Sequence, residues 1–455
     1  MNAALTAAPG PADQAVATAA PRRYDFESLE GADDDLLIML AFSGGGKRSS
    51  AFAYGALKAL RKATVADMGD ARSVLSAVDV ISSVSGGSFP AAYYALHRDR
   101  TFGGFETDFL RKDIEAYIYG LYLLPWHWEW MVNPLWGTND TMMRVYDRLM
   151  FHGATYADLV DKGRPLVVVG ATDVGLGSLF SFTQREFELI CSDLRSFPLA
   201  RAVAASNGFP VLFTPITLEN HRDDCPEGRP AWLPALGPER DGGETRTSYV
   251  LRAYERYLDP KQVRYVHLLD GGISDNLALR GLLNAMMIFH QSDSFMKQSV
   301  WLKTRRVLLL SVDGEAAADT SWAQQRVVTG IAQILSAVSG TQIDRYNFET
   351  MLLARQTVLD FAGRLKQLRC AVAPRIDGHA CDDVQAFFDH VALSDIADEK
   401  TRKRLEAIPT GLSLSDEDVD LLVKAGEDAV ERSRVFESFI DSVGRPARSS
   451  ARSGS

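Results

Sequence analysis

No run in these 455 residues is long and apolar enough to span a bilayer; the most hydrophobic stretch near the aromatic cluster, Ile114 to Trp136, is broken by Pro125, Glu129 and Pro134. Positive charge is not in excess either. Lys and Arg number 49 against 59 Asp and Glu, and the net charge of −10 argues against a nucleic-acid surface, because phosphate binding needs clustered cations. Residues 1–23, rich in Ala and Pro, lack the basic start and apolar core of a secretory signal. Residues 1–32 are therefore expected to be a disordered leader. The protein is expected in the cytoplasm or at a membrane periphery, with the periplasm as the alternative. Cysteine is scarce: Cys191, Cys225, Cys370 and Cys381 include no CxxC pair, which removes the usual zinc patterns. Four reduced thiols and a Cys370–Cys381 bridge across a short loop both stay open, since composition does not decide the compartment. No internal repeat is visible.

Apolar runs alternating with helical stripes are abundant. Leu36–Phe42 (LLIMLAF) reads as a buried parallel strand, followed by Ser43-Gly44-Gly45-Gly46 and a helix carrying Phe52, Ala53, Ala56, Leu57 and Leu60 on one face. Val78–Ser82, Leu166–Gly170, Val263–Leu269 and Val307–Val312 read as further strands, with helices at 91–97, 198–206 and 278–289. This alternation predicts an α/β fold with a mostly parallel sheet covered on both faces, over residues 33–315. Residues 316–444 read as a helical C-terminal region without convincing strands, in which Ser415 caps a helix from Asp416. The tail, 445–455, is expected to be disordered.

Three short motifs sit at the ends of separate strands. Gly44-Gly45-Gly46-Lys47-Arg48 exposes bare N–H groups where a helix opens. A P-loop is excluded, since Ala41 replaces its first glycine and Arg48 follows the lysine; Ser49 excludes a dinucleotide fingerprint. An oxyanion hole or a plain turn remains. In Ser83-Val84-Ser85-Gly86-Gly87 small residues flank Ser85 as a nucleophile elbow requires, with Ser83 in the place of the usual glycine; a simple helix cap is the alternative. Asp270-Gly271-Gly272 puts a carboxylate just past a buried strand, where an everyday turn is the competing reading. A parallel sheet gathers all three on one edge.

In this order, and with the surrounding AFSGGGKRSSAFAYGAL, SSVSGGS and LLDGGISDNLALR, the motifs resemble the patatin-like phospholipases over about residues 36–312. The resemblance implies a three-layer α/β/α sandwich, release of fatty acid from phospholipids or lysophospholipids, and a Ser–Asp dyad with no metal in the chemical step and no cofactor. Ser85 is then the nucleophile, Asp270 its base and Gly44, Gly45 and Gly46 the oxyanion donors. Arg48 matches the family's motif arginine and either neutralises a substrate phosphate or anchors the turn. Ser83, Gly86, Gly87, Gly271 and Gly272 support the motifs. Ser83 is the departure from the pattern, since serine takes positive φ less easily than glycine.

Trp126, Trp128, Trp130 and Trp136, with Tyr117, Tyr119 and Tyr122 nearby, suit a core, a lid or a peripheral membrane contact. His267 reads as a packing residue, and Asp173 as a weaker carboxylate candidate. His290, His379 and His390 follow Asp270, which keeps a conventional Ser–His–Asp esterase open. A lipid-binding module on a degenerate hydrolase fold is the non-catalytic alternative.

Overall fold

The hydrophobic runs assemble into one eight-stranded sheet in the computed structural model, which describes residues 2–5, 23–26, 35–67, 70–122, 137–210, 213–225, 228–234, 245–290, 299–316, 326 and 331–443. The strands are β1 (Leu36–Phe42), β2 (Val80–Val84), β3 (Leu166–Asp173), β4 (Ser178–Ser181), β5 (Ile216–Glu219), β6 (Tyr265–Leu269), β7 (Arg306–Asp313) and β8 (Gln385–Ala392). Their spatial order is β8-β7-β1-β2-β3-β6-β5, with β4 branching from β3. Every residue of β1, β2 and β3 is buried, as strands covered on both faces require. The five strands from β8 to β3 run parallel.

Helices cover both faces and make the three-layer α/β/α sandwich. They are α1 (Gly46–Lys62), α2 (Ser88–His97), α3 (Leu199–Ser206), α4 (Arg280–His290), α5 (Ile331–Val372), α6 (Glu399–Glu406), α7 (Asp416–Glu431) and α8 (Arg434–Val443). Ser415 caps α7 as expected, accepting from the Asp418 N–H. Helices α1 and α7 touch backbone to backbone. A Cβ on Gly55 would lie 2.1 Å from the Val423 carbonyl oxygen, and one on Gly426 would lie 2.0 Å from that of Phe52.

Three expectations need correction, and one open question is answered. The C-terminal region is mostly helical, but it also supplies β8, which pairs with β7 along its whole length. Strand β6 is antiparallel to β3, so Asp270 does not reach the site as the end of another parallel strand. Pairing of Leu269 with Thr172 instead brings Asp270 down to the level of Ala171, beside the end of β2, where Val84 pairs with Gly170. The cysteines form two disulfides, Cys191–Cys225 and Cys370–Cys381, with Cα atoms 5.8 and 4.8 Å apart; folding brings together partners whose spacing alone left three connectivities open. Finally, part of the expected leader is ordered. Ala3 and Ala4 pair with Asp193 and Ser192, and the Asn2 side chain exchanges hydrogen bonds with the Glu219 backbone, so its polar groups are satisfied in a buried position. Residues 6–22 and 27–34, the tail 444–455 and the tryptophan cluster at 126–136 lie outside the described residues. Among the described residues no helix is long and apolar enough to cross a membrane.

Candidate active site

Strand β2 ends at Val84, and Ser85 turns the chain with φ +47°, a left-handed conformation that a non-glycine residue adopts only when its surroundings hold it there. Those surroundings are specific. The Ser85 N–H donates to Ser206 Oγ at 2.8 Å, and that hydroxyl donates on to the Gly170 carbonyl at 2.6 Å. On the other side Gly87 N–H donates to the Ser43 carbonyl at 3.1 Å. Gly86 lies so close to the glycine loop that a Cβ there would sit 2.0 Å from the Gly46 carbonyl oxygen. The strain thus falls on Ser85 itself. Ser83 is an ordinary strand residue opposite Phe42 and Val169, so the absence of glycine there carries no conformational penalty.

The turn aims Ser85 Oγ at Asp270, whose Oδ2 accepts from it at 2.8 Å. Asp270 is fixed by four further bonds: its N–H donates to Gly208 O (2.9 Å), its carbonyl accepts from Thr172 Oγ1 (2.8 Å) and the Ile273 N–H (3.3 Å), and its Oδ1 accepts from the Gly272 N–H (2.7 Å). Gly271 is required by proximity, since a Cβ there would lie 2.4 Å from the Gly170 carbonyl oxygen. Burial pushes the Asp270 carboxyl up to about 6, while the Gly272 N–H and the Ser85 hydroxyl pull the other way. A hydroxyl placed 2.8 Å from a carboxylate of raised basicity can lose its proton there.

The glycine loop lies against the serine: a Cβ on Gly44 would be 3.4 Å from Ser85 Cβ. Gly44 N–H is committed to the Asn276 carbonyl at 2.8 Å. Gly45 and Gly46, with φ +126° and +63°, place their N–H groups at the opening of α1, where no side chain caps the helix. The Gly44 N–H is thus engaged within the turn, whereas Gly45 and Gly46 lie at the positive end of the α1 dipole. Arg48 has the geometry of an anchor. It is buried, donates from Nε to the Gly314 carbonyl at 2.9 Å, and reaches the Ile408 carbonyl and Thr410 Oγ1 with its other nitrogens. Lys47 is likewise buried, bonded through Nζ to the Lys112 carbonyl, and its N–H donates to Gly411 O at 2.9 Å; burial lowers its ammonium pKa to about 8. The 408–413 segment between α6 and α7 therefore backs the glycine loop.

The other singled-out residues stay apart from this pair. Asp173 accepts from the Tyr257 hydroxyl and the Gly175 N–H; Asp275 caps α4 through the N–H groups of Leu279 and Arg280. His267 is exposed on β6 and bonded to Thr217 Oγ1, so it is not the packing residue expected; strand alternation turns it outward between buried Val266 and Leu268. His379 lies in an exposed hairpin, and His390 faces Ser311 and Asp313. No histidine among the described residues bonds Ser85 or Asp270. Nor does any group of three or more His, Cys, Asp or Glu among them form a metal site. Sequence reasoning missed Asn207, 3.1 Å from Ser85 Oγ through its side-chain amide, and Tyr146, 3.1 Å beyond it. The only trace of Asn207 in the sequence is a Ser-Asn-Gly step closing a helix.

A mostly parallel sheet between helical layers, with a strained serine at a strand–helix turn facing a buried aspartate, defines an α/β sandwich whose turn has the shape of a nucleophile elbow. The model of the patatin-like phospholipases matches residues 40–283, and the chain belongs to that family. No curated protein matches the sequence at a significant level. Among solved structures, human GIVD cytosolic phospholipase A2 is similar with a TM-score of 0.35 and 12% identity, over 92% of this chain. The chain spans 64% of that protein's length.

Proposed function

We propose that this protein is a serine-dependent lipid acyl hydrolase of the phospholipase A or lysophospholipase type, working through a Ser85–Asp270 dyad. The 2.8 Å contact between Ser85 Oγ and Asp270 Oδ2 carries this reading. Asp270 takes the Ser85 proton as Oγ attacks the ester carbonyl, and the Gly45 and Gly46 N–H groups receive the oxyanion. Collapse expels the alcohol, which takes the proton from Asp270 and leaves an acyl-enzyme. Water then gives a proton to Asp270, adds to the acyl carbon and releases the fatty acid with return of the proton to Ser85. The catalytic unit assigned to residues 33–315 takes from 316–444 its edge strand and, for Arg48, the Ile408 carbonyl and the Thr410 hydroxyl.

The direct test is a panel of p-nitrophenyl esters, phospholipids, lysophospholipids and casein, run with and without EDTA. Hydrolysis of acyl esters and lipids, but not casein, is expected, with full rate on a soluble ester in excess chelator. Loss of that rate, restored by Ca²⁺, would count against the dyad. A second expectation concerns acid. Because the base form of Asp270 is lost as pH falls through about 6, kcat/KM on a soluble ester should be flat above that pH and drop about tenfold per unit below it. A profile that stays level through this range would separate the base from Asp270.

A further inference from the structure

We propose that Asn207 is a further catalytic residue, its carboxamide NH2 donating to Ser85 Oγ and its oxygen accepting from the buried Tyr146 hydroxyl. Tyr146, Asn207, Ser85 and Asp270 then form one donor-to-acceptor chain that ends on the base. The inference rests on the Ser–Asp reading above and adds to it the group that sets the direction of the serine proton.

The segment Ser206-Asn207-Gly208 brackets the Ser85–Asp270 pair. Ser206 Oγ accepts from the Ser85 N–H and the Ser206 carbonyl from the Gly271 N–H, while the Gly208 carbonyl accepts from the Asp270 N–H. Asn207 itself is held as the last turn of α3, its N–H bonded to the Val203 and Ala204 carbonyls at 3.1 and 3.3 Å. Its side chain is buried, and so is Tyr146, whose ring packs edge-on against Phe89 at 4.8 Å. A buried amide beside a reacting hydroxyl must have both ends satisfied, and here each end has one partner at 3.1 Å.

Counting hydrogens decides the sense of the chain. Ser85 has one hydroxyl hydrogen and two neighbours within reach, Asp270 Oδ2 at 2.8 Å and the Asn207 amide at 3.1 Å. An ionised carboxylate is the stronger acceptor, so the hydrogen goes to Asp270. The amide can then contribute to the Ser85 contact only as a donor. As placed, Asn207 Oδ1 faces Ser85 and Nδ2 faces Tyr146. A half-turn of the amide exchanges nitrogen and oxygen at the same positions without changing its shape, so the hydrogen-bond network decides which end faces Ser85. Tyr146 then donates to the amide oxygen and the amide nitrogen donates to Ser85. The orientation as placed belongs to the opposite sense, with Asp270 protonated and the serine hydrogen turned away from it, which cannot start the reaction.

In the productive sense the Asn207 N–H stays on Ser85 Oγ throughout. It holds the oxygen in line while Asp270 takes the proton and the bond to the acyl carbon forms. In deacylation it stabilises the charge that returns to Oγ as the acyl–oxygen bond breaks, before Asp270 gives the proton back.

The test uses the full-length protein and a soluble p-nitrophenyl ester. Asn207→Ala is expected to lower kcat by roughly 10–100-fold with KM changed less than about twofold, the loss of one hydrogen bond to a charged oxygen. Asn207→Asp keeps the shape but swaps the donor for a competing acceptor, and is expected to lower kcat at least as far. Tyr146→Phe should cost less, roughly threefold to tenfold, and have almost no further effect when combined with Asn207→Ala, since it acts through the amide. Unchanged kcat in folded Asn207→Ala or Asn207→Asp overturns the proposal, as does an additive double variant. Labelling by a fluorophosphonate probe keeps the two readings apart. If the wild type is not labelled at Ser85, the dyad itself fails; if it is labelled and the Asn207 variants turn over normally, only the amide donor fails.

Discussion

Ser85→Ala is expected to abolish ester hydrolysis while leaving circular dichroism and the unfolding midpoint close to wild type. Among the described residues Ser85 has the only hydroxyl bonded to the Asp270 carboxylate, so under the proposed dyad its loss removes the covalent route and not merely a contribution to it. Stability should change little, because the bonds holding the turn, from the Ser85 N–H to Ser206 Oγ and from the Gly87 N–H to the Ser43 carbonyl, do not involve the deleted oxygen. A small loss is expected from alanine at φ +47°, offset by release of the buried hydroxyl. The same substitution should erase fluorophosphonate labelling. Wild-type turnover in the purified variant would place the nucleophile elsewhere.

Asp270→Asn is expected to reduce turnover by roughly 10²–10⁴ or more, the range for loss of a general base. The amide oxygen can still accept from the Gly272 N–H, which leaves the NH2 facing Ser85 and reverses the polarity of the contact. Without an acceptor the serine cannot lose its proton, whatever the substrate. A Ser–His–Asp enzyme would also suffer, since its aspartate orients an imidazole. The histidines therefore separate the cases. His267→Gln, His379→Gln and His390→Gln should each keep substantial turnover of a soluble ester, because their described partners are Thr217, solvent and the Ser311–Asp313 edge. A folded histidine variant as inactive as Ser85→Ala would replace the dyad with a triad.

Much of this architecture is legible in the chain, for reasons that vary by element. The runs LLIMLAF and VLLLSV read correctly because strands buried on both faces need unbroken apolar residues. Strand β8, QAFFDHVA, carries Asp389 and His390 and lies at the sheet edge, so it lacks that signature. The direction of β6 was not legible at all, since periodicity is the same for a strand run either way. At the site, Ser85 and Asp270 stand out because their glycines make room for backbones that touch. Asn207 meets Ser85 across 122 residues of chain, and Arg48 meets Ile408 across 360, with no local pattern to announce either contact. Such contacts belong to tertiary geometry and not to any window of sequence.

The strand order also dictates when this fold can close. Strand β1 at residues 36–42 sits between β2, some forty residues on, and β7 at residues 306–313. During synthesis at about 5–20 residues per second, one edge of the most apolar strand therefore waits roughly a quarter of a minute to a minute for its partner. The outermost neighbour, β8, emerges later still. A pairing between strands this far apart in sequence slows folding and leaves a sticky edge open for longer. Yield on overexpression should thus depend on translation rate and chaperone supply more than on the stability of the finished molecule.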